Sequence, residues 1–130
     1  MTNFIIETLP IETLTKKENA VLAALITNLY GEPGFSDCEA WDVRNTYVEQ
    51  NGAIENADQV IGGVLGSLEN KGYIEFQDYT VNDEFDCVTN SYRFIHLTRE
   101  HWHLNPAWWD DDISDYSLRM LRLQVEQRNS

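Results

Sequence analysis

Basic side chains are scarce in this chain. Nine Lys and Arg stand against 22 Asp and Glu, a formal net charge of −13 at pH 7. A field of that sign repels phosphate and slows any approach to nucleic acid. Cysteine is also scarce: Cys38 and Cys87 are the only two, far apart and without Cys-x-x-Cys spacing, which fits a reduced cytoplasmic setting. No stretch approaches the ~20 apolar residues of a membrane span, so no membrane partner is expected. Met1 to Pro10 lacks a basic region followed by an apolar run and a small-residue cleavage site, so no secretory signal is expected either.

What is present is enough for a core. The 130 residues are 42% hydrophobic and 12% aromatic, which suits one folded domain and excludes disorder over the whole length. The clearest local signal is Thr15-Lys16-Lys17-Glu18, a capping box in which the threonine hydroxyl and the glutamate each satisfy a free helix-start N–H. Val21, Leu22, Leu25, Ile26 and Leu29 follow on one helical face, and Gly31, Pro33 and Gly34 end the helix. A second helix is expected within Asp37 to Asn51, with Ala40, Val43, Tyr47 and Val48 inward and Ser36 with Glu39 as its capping box. A third begins near Asn56, capped by Asn56 and Gln59, with Val60, Ile61, Val64, Leu65 and Leu68 on its buried face and Gly72 as its stop.

The period then changes to alternation. Tyr73 to Tyr79 and Ser91 to Thr98 read as antiparallel strands, with Ile74 and Phe76 on one face and a long loop from Thr80 to Asn90 between them. Residues 99–112 look irregular and tryptophan-rich. A last helix is expected from about Ile113 to Gln127, with acids at its start and Arg119, Arg122 and Arg128 later, as the helix dipole favours. The division is an N-terminal arm or short strand over 1–12, a core over 13–98 and an extension with a C-terminal helix over 99–130.

Three helices running into a two-stranded hairpin give an α+β fold. The stretch Val60-Ile61-Gly62-Gly63-Val64-Leu65-Gly66-Ser67-Leu68-Glu69-Asn70-Lys71-Gly72-Tyr73-Ile74 resembles the recognition helix and first wing strand of the winged-helix superfamily, in particular the MarR-like small regulators. Leu14-Thr15 before the first helix and Leu97-Thr98 after the second strand are similar to that group as well. The resemblance covers roughly residues 13–98. It implies a winged helix-turn-helix and DNA binding, with the third helix in a major groove and the wing on the backbone. It also implies a homodimer through the terminal helix, where Ile113, Tyr116, Met120 and Leu123 form one apolar stripe and Leu118, Leu121 and Val125 a second.

The residues on that surface depart from the pattern. The outward face of the third helix should hold Gln59, Gly62, Gly63, Gly66 and Asn70, of which only Gln59 and Asn70 can read a base edge. Glu75, Asp78, Asp83, Glu84 and Asp86 precede the first wing base, Arg93. From Phe35 to Thr98 there are twelve acids and three bases, a net of −9. Affinity for DNA follows the number of phosphates neutralised, so this surface favours a protein partner over DNA. The three glycines each cost roughly 1 kcal/mol relative to Ala within a helix. Either another element of the domain packs closely there, or the helix offers a smooth strip to a partner.

Other chemistry finds little support. Gly62-Gly63-Val64-Leu65-Gly66 lacks the spacing of a nucleotide loop and follows no strand. His96, His101 and His103 include no i, i+4 pair, so no metal is expected. No constellation of acid, base and nucleophile emerges around Cys38 or Cys87, so neither an enzyme nor a cofactor is expected. Trp102, Trp108 and Trp109 either fold the extension over the core or anchor a protein interface. The expected role is a non-catalytic, protein-binding regulator or inhibitor with a DNA-mimicking surface, such as phage and mobile elements encode. The alternative is a DNA-binding, dimeric transcriptional regulator that uses Arg119, Arg122 and Arg128.

Overall fold

Thr15 caps the first helix as its sequence demands. Its Oγ1 accepts from Glu18 N at 3.0 Å while Glu18 Oε1 accepts from Thr15 N at 2.9 Å. In the computed structural model, which describes residues 9–83, 85, 88–109 and 123, three α-helices are followed by a two-stranded antiparallel sheet. They are α1 (Lys16–Thr27), α2 (Ala40–Asn51), α3 (Ala57–Asn70), β1 (Ile74–Asp83) and β2 (Val88–Leu97). Two short 3-10 helices, Arg99–Leu104 and Pro106–Trp109, complete the described part. This order gives the expected α+β fold.

The core is the meeting of the three helices with the base of the hairpin. Val21, Leu22, Leu25, Val43, Ile61, Leu65, Leu68, Ile74, Ile95 and Leu97 are all buried. These are the helical and alternating apolar positions of the sequence, so burying them accounts for most of the stabilisation. Asn28 ties the helices laterally: its Nδ2 donates to Ala24 O and to Thr46 Oγ1, both at 2.9 Å. Helix α3 ends in a tight reversal, with Gly72 N bonded to Glu69 O and Tyr73 N to Leu68 O, both at 3.0 Å. Gly72 adopts φ +83° there, which any side chain would strain. Thr98 Oγ1 then donates to Gly72 O at 2.7 Å and closes the hairpin base.

Three local expectations need correction. Ser36 does not cap α2: its hydroxyl donates to Ile95 O at 2.6 Å and accepts from Cys38 N at 3.1 Å. The helix starts later, at Ala40, where Asp42 Oδ2 accepts from Glu39 N, and Ala40 itself is exposed. Asn56 precedes α3 in a left-handed conformation, φ 52°, and makes no side-chain cap bond. The long loop expected over 80–90 is mostly strand. Tyr79 pairs with Tyr92, Thr80 with Ser91 and Val81 with Asn90, and pairing continues to Asp83 and Val88. Cross-strand pairs of this kind outweigh the polar local composition.

The core also runs beyond residue 98. Leu104 and Trp108 are buried within it, and Trp102 packs partly against it. Among the described residues no helix is long and apolar enough to cross a membrane. Of the N-terminal arm or short strand expected over 1–12, residues 1–8 lie outside the described residues. So does the helix expected over Ile113 to Gln127 with its dimer contact and Arg119, Arg122 and Arg128, apart from Leu123, which is helical and half exposed.

Candidate functional site

Helix α3 buries Ile61, Leu65 and Leu68, which turns the opposite side of its cylinder to solvent. Gln59, Gly62, Gly63 and Asn70 are exposed there, and Gly66 is half-buried. A Cβ added at Gly62, Gly63 or Gly66 would meet nothing within 4 Å. Close packing inside the described domain therefore does not explain these glycines. Beside Gly63 lies a shallow hollow of about 480 Å³, bounded by Gln59, Val64 and Ser67 of α3 and by Thr15 and Lys17 at the start of α1.

The floor of that hollow is a polar knot. Glu18 is buried, and both its carboxylate oxygens accept from Lys71 Nζ at 2.8 Å, while Ser67 Oγ donates to Oε2 at 2.8 Å. The Lys71 bond, followed by the Thr15 backbone bond, holds the Glu18 carboxyl down at about 2, against 4.5 ordinarily, and outweighs the opposing effect of burial. Lys71, the base that follows α3, is thus bonded to an internal partner, while Lys17 of α1 borders the same hollow and is exposed.

The two faces of the hairpin differ. On one, Phe76 stands opposite Ile95 and Asp78 opposite Arg93. The Arg93 guanidinium lies 4.3 Å over the Phe76 ring, and its Nε is 3.6 Å from Asp78 Oδ1, with the Asp78 side chain 80% exposed. On the other face Gln77 stands opposite Phe94 and Tyr79 opposite Tyr92. Here the rings form a ladder: Tyr92 and Phe94 stack with centroids 5.8 Å apart, and Tyr79 lies 6.5 Å from Phe94. Phe35, from the segment ahead of α2, joins them across a groove of about 350 Å³ lined by Phe35, Ser36, Asp37, Gln77, Tyr79 and Phe94. Phe35 is 71% and Tyr79 60% exposed. Sequence reasoning missed this groove. Its signal was the alternation of Tyr92 and Phe94 and their register with Tyr79.

The remaining site residues fall elsewhere. Glu75 is exposed, and its Oε1 accepts from Gln77 Nε2 at 3.2 Å. Asp83 ends β1, but its side chain lies outside the described residues, as do Glu84 and Asp86 entirely. The indoles of Trp102 and Trp108 turn inward. Trp108 Nε1 donates to Gly31 O at 2.8 Å and Trp102 Nε1 to Leu97 O at 3.1 Å, and the two rings meet edge to face at 6.1 Å. The side chain of Trp109 lies outside the described residues.

The histidines and the described cysteine are placed structurally. His96 is fully buried; Gly34 N donates to its Nε2 at 3.0 Å, which leaves the ring proton on Nδ1, 2.6 Å from Leu97 O. Trp108 stacks on this ring at 5.5 Å. His103 is buried, and burial, with the charge of His101 as the lesser cause, lowers its pKa to about 4. Burial, reinforced by Asp42, pushes the Cys38 thiol up to about 12, so it is no ready nucleophile. Among the described residues no group of three His, Cys, Asp or Glu gathers to hold a metal ion.

No family model matches the chain, and no curated protein resembles it closely enough to count as a relative.

Proposed function

We propose that the chain is a non-catalytic winged-helix protein that regulates or inhibits a partner protein, presenting α3 and the hairpin to a basic surface of that partner. One observation carries the reading: the α3 and hairpin surface exposes carboxylates and aromatic rings, and its two described bases each face a carboxylate, which leaves Lys17 of α1 as the neighbouring exposed cation. Arg93 faces Asp78 and Phe76, and Lys71 is bonded to Glu18. A nucleic-acid reader needs several free cations to displace counterions from phosphates. A surface with the opposite charge suits a partner that itself carries such cations. In its sharpest form the carboxylates take the place of DNA phosphates in a basic groove, and the bare α3 strip allows close approach.

The test is affinity capture from the native host with the full chain and with the triple variant Asp83→Lys, Glu84→Lys, Asp86→Lys, quantified by mass spectrometry. A basic protein retained by the parent and lost from the variant is the expected result. Equal retention by both would reject the acidic surface as the contact.

A further inference from the structure

The geometry points to a specific occupant for the groove between Phe35 and the aromatic face of the hairpin: an extended Lys- or Arg-bearing segment of the partner protein, seated by one apolar side chain. This rests on the proposed protein-binding role and adds the chemistry of the partner.

Three observations converge. The groove is apolar at its floor, with Phe35, Tyr79 and Phe94 around about 350 Å³, room for a large side chain. The charged residue that lines it is acidic, Asp37, and Glu75 is bonded to the lining Gln77, whereas Arg93 lies on the opposite face of the sheet and Arg99 sits over the Trp102 ring. A cation entering here meets carboxylates, and the exposed tyrosine ring offers it a cation–π face. A second copy of this chain, itself at −13, brings the wrong charge.

The third observation sets the conformation of the occupant. Ile95 N donates to Cys38 O at 2.8 Å, and Ile95 O accepts from Ser36, so the main-chain groups of Ile95 point away from β1. By the alternation of a strand, those of Arg93 and Ser91 point to the same outer edge, beyond the short cover given by Ser36 to Cys38. A two-stranded sheet leaves that edge ready to pair with an extended chain. Main-chain bonds along β2 would then hold the segment while its apolar side chain enters the groove.

Fluorescence anisotropy on the full chain tests this with a labelled short peptide that alternates Lys and Val around a central Phe. Two further peptides carry Glu for each Lys, or Ala for the Phe. The Lys–Phe peptide should bind most tightly, weaken with salt, and lose about tenfold or more in affinity in either control. Phe35→Ser and Tyr79→Ser should each cost about tenfold, while Glu12→Ala, ahead of α1, should leave affinity unchanged. Equal binding of the Glu peptide, or unchanged affinity in both groove variants, would overturn the assignment. Should the groove variants have no effect while the triple Lys variant still loses the captured protein, the groove assignment falls and the proposed function stands. Tight binding of duplex DNA would remove the proposed function instead.

Discussion

Lys71 Nζ sits 2.8 Å from both carboxylate oxygens of Glu18, joining the end of α3 to the first turn of α1. Lys71→Met leaves the buried carboxylate with only Ser67 and the Thr15 N–H. The expected loss is about 1–2 kcal/mol, less than for a fully enclosed pair because the lysine side chain is 44% exposed. Urea unfolding of the two proteins at pH 7 measures it; an unchanged midpoint would mean that water replaces the lysine at no cost.

Acid should weaken the fold in two stages. His103 has a lowered folded pKa, about 4 against 6.5, so the unfolded chain takes up its proton first. Its contribution is complete above pH 6.5 and fades as pH falls towards 4. Glu18 is likewise lowered, to about 2 from 4.5, so its contribution is present above 4.5 and is lost as pH falls through 2. Relative to His103→Gln, the parent should lose stability between pH 6.5 and 4. Unfolding midpoints that move in parallel across that range would contradict this.

The open glycines of α3 predict an opposite pair of effects. Gly63→Ala meets no neighbour and removes backbone freedom from the unfolded chain, so it should stabilise by about 0.5–1 kcal/mol. If the bare strip serves a partner, the same change should weaken capture of that partner. Gly72→Ala, at φ +83°, should destabilise by about 1 kcal/mol or more. Thermal melts and capture yields read both.

Trp108 is 4% exposed, and its indole N–H is bonded to Gly31 O. Trp108→Ala should cost about 3–5 kcal/mol, as large cavities do in a packed core. Denaturant titration checks this. A loss below about 1 kcal/mol would show that the segment after residue 98 is an accessory to the core.

Much of the fold was legible because it is local. The Thr15–Glu18 box and the Leu-x-x-Lys-Gly ending are chain-neighbour chemistry, and the helical face from Val60 to Leu68 is simple periodicity. Ser36 and His96 were not legible. Ser36 forgoes its cap because Ile95 O, 59 residues away, reaches it first. His96 alternates with core residues and so belongs to the face away from the helices, yet the 3-10 segment covers that face with Trp102 and Trp108. The Phe35–Tyr79–Phe94 groove joins three separate segments, and only the strand register reveals it.

The most direct measurement is a titration of the full chain with labelled random-sequence duplex DNA at low salt, where any phosphate attraction is strongest. An acidic protein-binding surface predicts no complex at micromolar chain. A complex that forms and weakens steeply with added salt would contradict it, because it would require several free cations gathered on a surface where Arg93 and Lys71 face Asp78 and Glu18.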